Sequence, residues 1–112
     1  MPNLQYEICI KACEDCLVAC EECASECLRE EGGNLMAPCI QLDCDCALIC
    51  DVAVKLLSRQ SLFSTTICLT CAEICRACSA ECRKHDMKHC QDCANACDIC
   101  ADECEAISNV PA

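Results

Sequence analysis

The hydrophobic and polar positions of this 112-residue chain follow a helical repeat along most of its length. Leu, Ile, Val and Cys recur at steps of three and four, and mainly charged residues, Ala and Ser lie between them. Such steps place the recurring side chains on one face of an α-helix. The pattern predicts four helices, near residues 3–30, 36–59, 62–85 and 87–107. Short breaks favour antiparallel neighbours, so we expect an all-α fold: a single domain, residues 1–112, forming an antiparallel up-down-up-down four-helix bundle.

The breaks between the helices carry recognisable stop and start signals. Gly32, Gly33 and Pro38 are expected to end the first helix and begin the second. A serine of the polar stretch SRQSLFSTT is expected to cap the third helix, and Asp86 the fourth.

Cysteine fills the inward face of three predicted helices, where a bundle usually carries leucine. The chain has 20 cysteines. The regularly spaced ones are Cys9, Cys13, Cys16, Cys20, Cys23, Cys27, Cys68, Cys71, Cys75, Cys78, Cys82, Cys90, Cys93, Cys97, Cys100 and Cys104. We therefore expect a cysteine-lined core.

The second helix is mixed. Its inward track carries Cys39, Asp43, Cys46 and Cys50, with Cys44 beside it. Residues two apart on a helix point in nearly opposite directions, so Cys44 and Cys46 cannot both face the core. Cys44 is therefore the weakest of the candidate ligands.

Composition restricts the compartment and the partners. The N-terminal stretch MPNLQYEICIKACEDC has no basic and apolar leader pattern, so we expect a reducing, cytoplasmic environment, where repeated cysteines indicate metal rather than disulfides. The net charge is −11 and the basic residues are sparse, which argues against nucleic acid and anionic membranes as partners. No apolar stretch is long enough to span a bilayer.

Packing alone and native disulfides are the alternatives to a metal site. Buried thiols do behave as small hydrophobes, but they fill a core less well than leucine, which they replace here. Disulfide scaffolds usually join distant parts of a loop-rich chain, whereas these cysteines are periodic and helical. Metal binding explains the pattern better than either.

Monovalent copper suits this core better than other metals. Iron–sulfur sites usually need a run such as C-x2-C-x2-C, which is absent from the sequence. Four thiolates around a divalent ion leave buried negative charge, whereas Cu(I) replaces one thiol proton with one positive charge. Cu(I) also prefers thiolates. Six CxxC and eight CxxxC pairs offer two-sulfur sites, and sulfur bridging would bring the capacity near ~20 ions.

Two other interpretations remain, a metallothionein-like buffer for zinc or cadmium and a thiol redox protein. Metallothioneins favour CxC and CC pairs, and only Cys44–Cys46 fits that pattern here. A redox enzyme needs one activated, exposed cysteine, and nothing singles one out. We expect a binding protein and not an enzyme.

The two ends of the bundle are expected to differ. One end carries weaker copper ligands: Met36, His85, Met87 and His89. The other end is expected to be closed by apolar side chains: Tyr6, Leu56, Leu57, Phe63 and Ile107. We expect copper to pass through the first end.

The segments CIQLDCDCALICDVAVKLL and CLTCAEICRACSAECRKHDMKHCQDCANACDICADEC resemble the cytosolic branch of the bacterial four-helix-bundle copper storage proteins. With the first cysteine helix, the resemblance covers nearly the whole chain. It implies high-capacity storage of Cu(I), His and Met near an open end, and homotetramers of bundles. By position it implies metal-binding roles for Cys39, Cys46, Cys50 and the cysteines from 68 to 104. It also matches His85 and His89 to mouth histidines and Asp43 to an acidic position.

Overall fold

Four long helices make up a computed structural model that describes residues 3–30 and 33–110. Helix α1 spans Leu4–Leu28, α2 Gly33–Ser58, α3 Ser64–Cys82 and α4 Lys88–Ala106, and a short 3-10 helix, Ile107–Asn109, follows α4. The all-α prediction is confirmed. The predicted bounds of α3 were three residues too long at its C-terminus and two at its N-terminus.

The second helix begins earlier than the sequence predicts. Helix α2 already begins at Gly33, so Pro38 lies inside it, and Gly32 is outside the described residues. A proline there removes one helical hydrogen bond. The loss falls near the exposed first turn of α2, where solvent can bond to the freed carbonyl.

Side-chain caps are also placed differently from the prediction. The side chain of Asn3 caps α1 by accepting from the backbone N–H groups of Gln5, at 2.8 Å, and Tyr6, at 3.3 Å. Asp86 does not cap α4, because Met87 occupies the capping position and makes no side-chain bond there. No serine caps α3 directly. The Ser61 hydroxyl accepts from the backbone N–H of Phe63, the residue just before that helix.

A left-handed residue ends α2. Gln60 has a φ of 52°, its N–H donates to the carbonyl of Leu57, and the N–H of Ser61 donates to that of Leu56. This is the paired arrangement of a Schellman motif, which usually holds glycine at the left-handed position. The motif turns the chain sharply enough for α3 to start within six residues of the end of α2.

The helices form a closed ring in the order α1, α2, α3, α4. The backbone of each packs against its two neighbours, and diagonal helices meet through core side chains, as where the Cys46 sulfur of α2 lies 3.9 Å from that of Cys97 on α4. The bundle is long and narrow, 49 × 18 × 17 Å. Arg76 and Arg83 join α3 to α4 on the outside, through Asp102 and Asp98 respectively. The up-down-up-down bundle therefore encloses one narrow axial core.

Candidate metal centre

Nineteen of the twenty cysteines are buried. They come from all four helices and form the core together with a few alanines, Met36, Leu57 and Ile107. We call this set the thiol core: Cys9, Cys13, Cys16, Cys20, Cys23, Cys27, Cys39, Cys46, Cys50, Cys68, Cys71, Cys75, Cys78, Cys82, Cys90, Cys93, Cys97, Cys100 and Cys104. The predicted inward face of each helix is thus confirmed.

Sulfur atoms from different helices lie close together along the whole core. Near the centre, the Cys46 sulfur of α2 lies 3.4 Å from that of Cys75 on α3 and 3.7 Å from that of Cys16 on α1. Near the far end, the Cys9 and Cys104 sulfurs are 3.6 Å apart. An ion anywhere along the axis can therefore be bound from two or more helices.

Within one helix, the close pairs are four residues apart. Seven i,i+4 pairs have sulfur atoms 3.8–4.0 Å apart, as in Cys23–Cys27. No i,i+3 pair makes such a contact in the described chain, although the sequence suggests both spacings equally. The members of a CxxC pair instead contact different cysteines of a facing helix, as where Cys20 contacts Cys93 and Cys23 contacts Cys90. Two-sulfur sites within one helix are therefore CxxxC sites.

Several groups of four sulfurs are compact enough to hold metal. In each group the ligand atoms all lie within 4.8 Å of one another. Five such groups are Cys13–Cys71–Cys100–Cys104, Cys16–Cys46–Cys50–Cys75, Cys16–Cys20–Cys46–Cys97, Cys20–Cys78–Cys93–Cys97 and Cys23–Cys27–Cys39–Cys90. Some cysteines belong to two groups, so the groups merge into one another. This arrangement suits bridging thiolates and several ions rather than one isolated tetrahedral site.

Asp43 is the one acidic residue buried in the core of the described chain. Its Oδ1 accepts from the thiols of Cys78, at 3.2 Å, Cys93, at 3.3 Å, and Cys82, at 3.6 Å. Burial is the main cause that raises the pKa of this carboxyl to about 10. Asp43 is therefore protonated and uncharged at neutral pH. The prediction that it lies on the inward track of α2 is confirmed.

Cys44 does not belong to the thiol core. It is exposed on α2, while Cys46 is fully buried. Cys44 was included among the candidate ligands, but the structure places it away from the others. Residues two positions apart on a helix lie on nearly opposite faces, so Cys44 points outward where Cys46 points inward. Cys44 is consequently not available to an ion in the core.

Burial favours the neutral form of the core thiols nearest the mouth, Cys27 and Cys90. Burial is the main cause that raises the pKa of Cys90, to about 11, and that of Cys27 as well. No Lys or Arg is buried among the described residues. A thiolate in the core would thus be a charge without a partner. Protonated thiols avoid this cost.

Met36, His85, Met87 and His89 gather at one end of the core, which we call the mouth. Met36 is almost fully buried, and Met87 packs against the core from outside. The Nε2 atom of His89 lies 3.5 Å from the Cys27 sulfur. The imidazole of His85 instead faces Glu81, with Nε2 and Oε2 2.8 Å apart. Glu81 was not among the predicted site residues, although its i,i+4 spacing to His85 is a recognisable signal.

The opposite end is closed, with two exceptions to the prediction, Phe63 and Leu56, of which Leu56 is only half-buried and lies outside the core cluster. Leu57 and Ile107 are buried there, and Tyr6 packs against the core. Phe63 is exposed and does not contribute, because it precedes α3 in the turn that follows the Schellman motif. The two ends thus differ in chemistry: one carries methionine thioethers and histidine imidazoles, and the other carries apolar side chains.

Known proteins share both the sequence and the fold. Residues 3–109 match a family model described as copper storage protein. An uncharacterized cysteine-rich protein of Bacillus subtilis strain 168 is 48% identical over 85 residues, which is 76% of this chain and 79% of that protein.

Solved structures agree with this match. The Cu(I)-bound copper storage protein BsCsp3 is 48% identical, with a TM-score of 0.87, over 91% of this chain and 96% of that one. A cytosolic copper storage protein from Streptomyces lividans, in a structure with five coppers, is 32% identical, with a TM-score of 0.92, over 96% of this chain and 95% of that one. With this fold, this thiol core and these matches, the chain belongs to the copper storage protein family.

Proposed function

We propose that this protein stores many Cu(I) ions in its thiol core and exchanges them through the mouth. The observation that carries the proposal is the unbroken series of buried sulfurs, with cross-helix distances such as 3.4 Å between Cys46 and Cys75. Soft thiolates prefer Cu(I), and neighbouring sites can share sulfurs. With nineteen core thiols and each sulfur serving two ions, the capacity approaches ~20 ions per chain.

Charge balance favours Cu(I) over zinc or cadmium. Each Cu(I) that displaces one thiol proton leaves the core as neutral as before. A divalent ion bound by four thiolates adds two negative charges, and no Lys or Arg is buried in the described chain to compensate them. Membership of the copper storage family supports the same choice over a metallothionein-like buffer.

A binding role also accounts better for the cysteines than thiol catalysis does. Catalytic cysteines are accessible and activated by a neighbour that lowers their pKa. The nineteen core cysteines are buried, and burial raises the pKa of thiols such as Cys90. We therefore propose storage without catalysis.

The cellular setting follows from the relatives. We place the protein in the cytosol because the S. lividans relative is described as a cytosolic copper storage protein. No helix in the described part of the chain is long and apolar enough to cross a bilayer. We also propose a homotetramer of bundles, as the family resemblance implies. Apolar side chains exposed on α1 and α2, such as Val18, Leu28 and Leu48, offer surface for such contacts.

An anaerobic competition titration tests the storage function. Reduced metal-free protein is titrated with Cu(I) in the presence of a strong chromophoric chelator, and then with Zn(II) under the same conditions. We expect many equivalents of Cu(I), well above four, to be withheld from the chelator, and weaker binding of few Zn(II) ions. Tight binding of zinc at similar stoichiometry, or uptake of only one or two coppers, would contradict copper storage.

A further inference from the structure

Glu81 occupies a position that is unfavourable for a carboxylate. It lies in the last turn of α3, which ends at Cys82, and only 13% of its side chain is exposed. The C-terminal end of a helix carries partial negative charge, which repels a carboxylate. Removing a charged group from water adds a further cost unless the group is paired. Its contacts must therefore compensate for both effects.

The principal contact of Glu81 is with His85 at the mouth. Glu81 Oε2 lies 2.8 Å from His85 Nε2, and the His85 side chain is itself only 15% exposed. Glu81 Oε1 also contacts the Lys84 ammonium at 3.3 Å. On the other side, the Gln91 side chain donates to the backbone carbonyl of His85 at 2.7 Å. Residues of α3 and α4 thus hold both the ring and the backbone of His85.

The second mouth histidine is held differently. His89 presents Nε2 to the Cys27 sulfur at 3.5 Å, and its contact with the Glu30 carboxylate is long, 3.9 Å. The Nε2 atom of His89 therefore faces a thiol of the core, whereas the Nε2 atom of His85 contacts the carboxylate of Glu81. Glu81 is the residue that makes this difference.

We propose that Glu81 is a positioning residue for copper uptake, and this proposal rests on the proposed storage function. A neutral imidazole has one N–H donor and one acceptor nitrogen. Because the Glu81 carboxylate accepts, Nε2 of His85 carries the proton, and Nδ1 keeps the lone pair that a Cu(I) ion needs. Carboxylates that accept from a metal-binding histidine commonly fix its tautomer and ring orientation in this way. Glu81 itself does not bind the ion.

The tautomer is tested first, on full-length, reduced, metal-free protein. Long-range proton–nitrogen NMR at about pH 8, above the ordinary range of histidine, distinguishes the two tautomers. We expect His85 to carry its proton on Nε2 in the wild type and in Glu81→Gln, whose amide oxygen still accepts. Glu81→Ala should lose this preference. Glu73→Ala removes an exposed carboxylate from the same helix and should have no effect.

Copper uptake is then measured by stopped-flow transfer from a chromophoric chelator, with the end point as a control. We expect Glu81→Ala to take up the first ions about 10-fold more slowly, with unchanged capacity, and Glu81→Gln and Glu73→Ala to match the wild type. A wild-type His85 protonated on Nδ1, wild-type uptake by Glu81→Ala, or a Glu81→Gln variant as slow as Glu81→Ala would each overturn the proposal. Since the tautomer is measured without copper, failure of the storage function would appear separately, in the wild-type end point.

Discussion

The Oδ1 atom of Asp43 lies 3.2 Å from the sulfur of Cys78, in the interior of a core built otherwise from thiols and small apolar groups. Asp43 is on α2, and the thiols that donate to its carboxyl come from α2, α3 and α4. A buried acid is tolerated here because its polar atoms are satisfied and because it is protonated. It is the one carboxyl on the inward track of α2, and its ionisation would lower the stability of the metal-free protein.

The first prediction follows from the raised pKa of Asp43. The folded protein keeps this carboxyl protonated up to about pH 10, whereas the unfolded chain releases the proton near its ordinary pKa of about 4. Between these values the folded state binds more protons. The contribution of Asp43 to stability is thus fully present below about pH 4 and falls as pH rises, by at most about 1.4 kcal/mol per pH unit.

Urea unfolding of the reduced metal-free protein between pH 5 and pH 7.5 measures this effect. Asp43→Asn keeps the shape and cannot ionise, so the difference between variant and wild type isolates Asp43 from the other carboxylates. We expect Asn to gain stability over the wild type as pH rises. A difference that does not change with pH would mean that the Asp43 carboxyl is not held protonated.

A second prediction uses two cysteines that are two residues apart. Cys46 contacts sulfurs on three other helices, including Cys75 at 3.4 Å, whereas Cys44 is exposed. Hydroxyls are poor Cu(I) ligands. Cys46→Ser should lower the anaerobic Cu(I) end point by about one to two ions, since one sulfur can bridge two coppers. Cys44→Ser is the matched control and should leave the end point unchanged; a loss of similar size in both variants would refute the division between core and surface.

Much of this core could be predicted from the sequence, because burial on a helix follows directly from spacing. The steps of three and four identify the inward face. Because Cys44 and Cys46 point in nearly opposite directions, the same steps indicate that Cys44 lies outside this face. Which sulfurs meet across helices could not be predicted. The 3.4 Å contact between Cys46 and Cys75 depends on the rotation and axial offset of two helices, which the period alone does not fix.

The errors lie at helix ends, where several weak signals compete. Asp86 is a good capping residue by type, but the chain places Met87 at that position. Phe63 is apolar and near the closed end, yet the turn after α2 leaves it exposed. Glu81 and His85 share a recognisable spacing, but only the structure shows that both are largely buried and that they meet.

The third prediction concerns protons released on loading. Burial raises the pKa of core thiols such as Cys90, to about 11, so they are protonated at pH 7. Each Cu(I) that becomes bound by thiolates must displace protons into the solvent. We expect about one proton per copper, which keeps the core neutral. A pH indicator in weakly buffered anaerobic solution measures the release, and a yield near zero would mean that the thiolates exist before copper arrives or that thiols are not the ligands.

The last prediction separates the mouth from the store. A mouth variant carries Met36→Leu, His85→Ala, Met87→Leu and His89→Ala, which removes four weak ligands with little change of core volume at the methionines. All twenty thiols remain, so its capacity should fall only slightly. Its uptake and release should be slowed, because ions then pass an end that lacks exchange ligands.

A store variant makes the opposite change. Cys16, Cys20, Cys75 and Cys78 lie in the middle of the core, and serine at these positions removes the sulfurs while nearly preserving size. We expect the end point to drop by several ions, with the first fast phase of uptake unchanged, since the mouth is intact. Stopped-flow transfer of Cu(I) from a chromophoric chelator gives the rates, and a titration gives the end point. If the mouth variant instead loses most of its capacity at an unchanged rate, the His and Met residues are principal storage ligands, and a passage distinct from the store does not exist in this bundle.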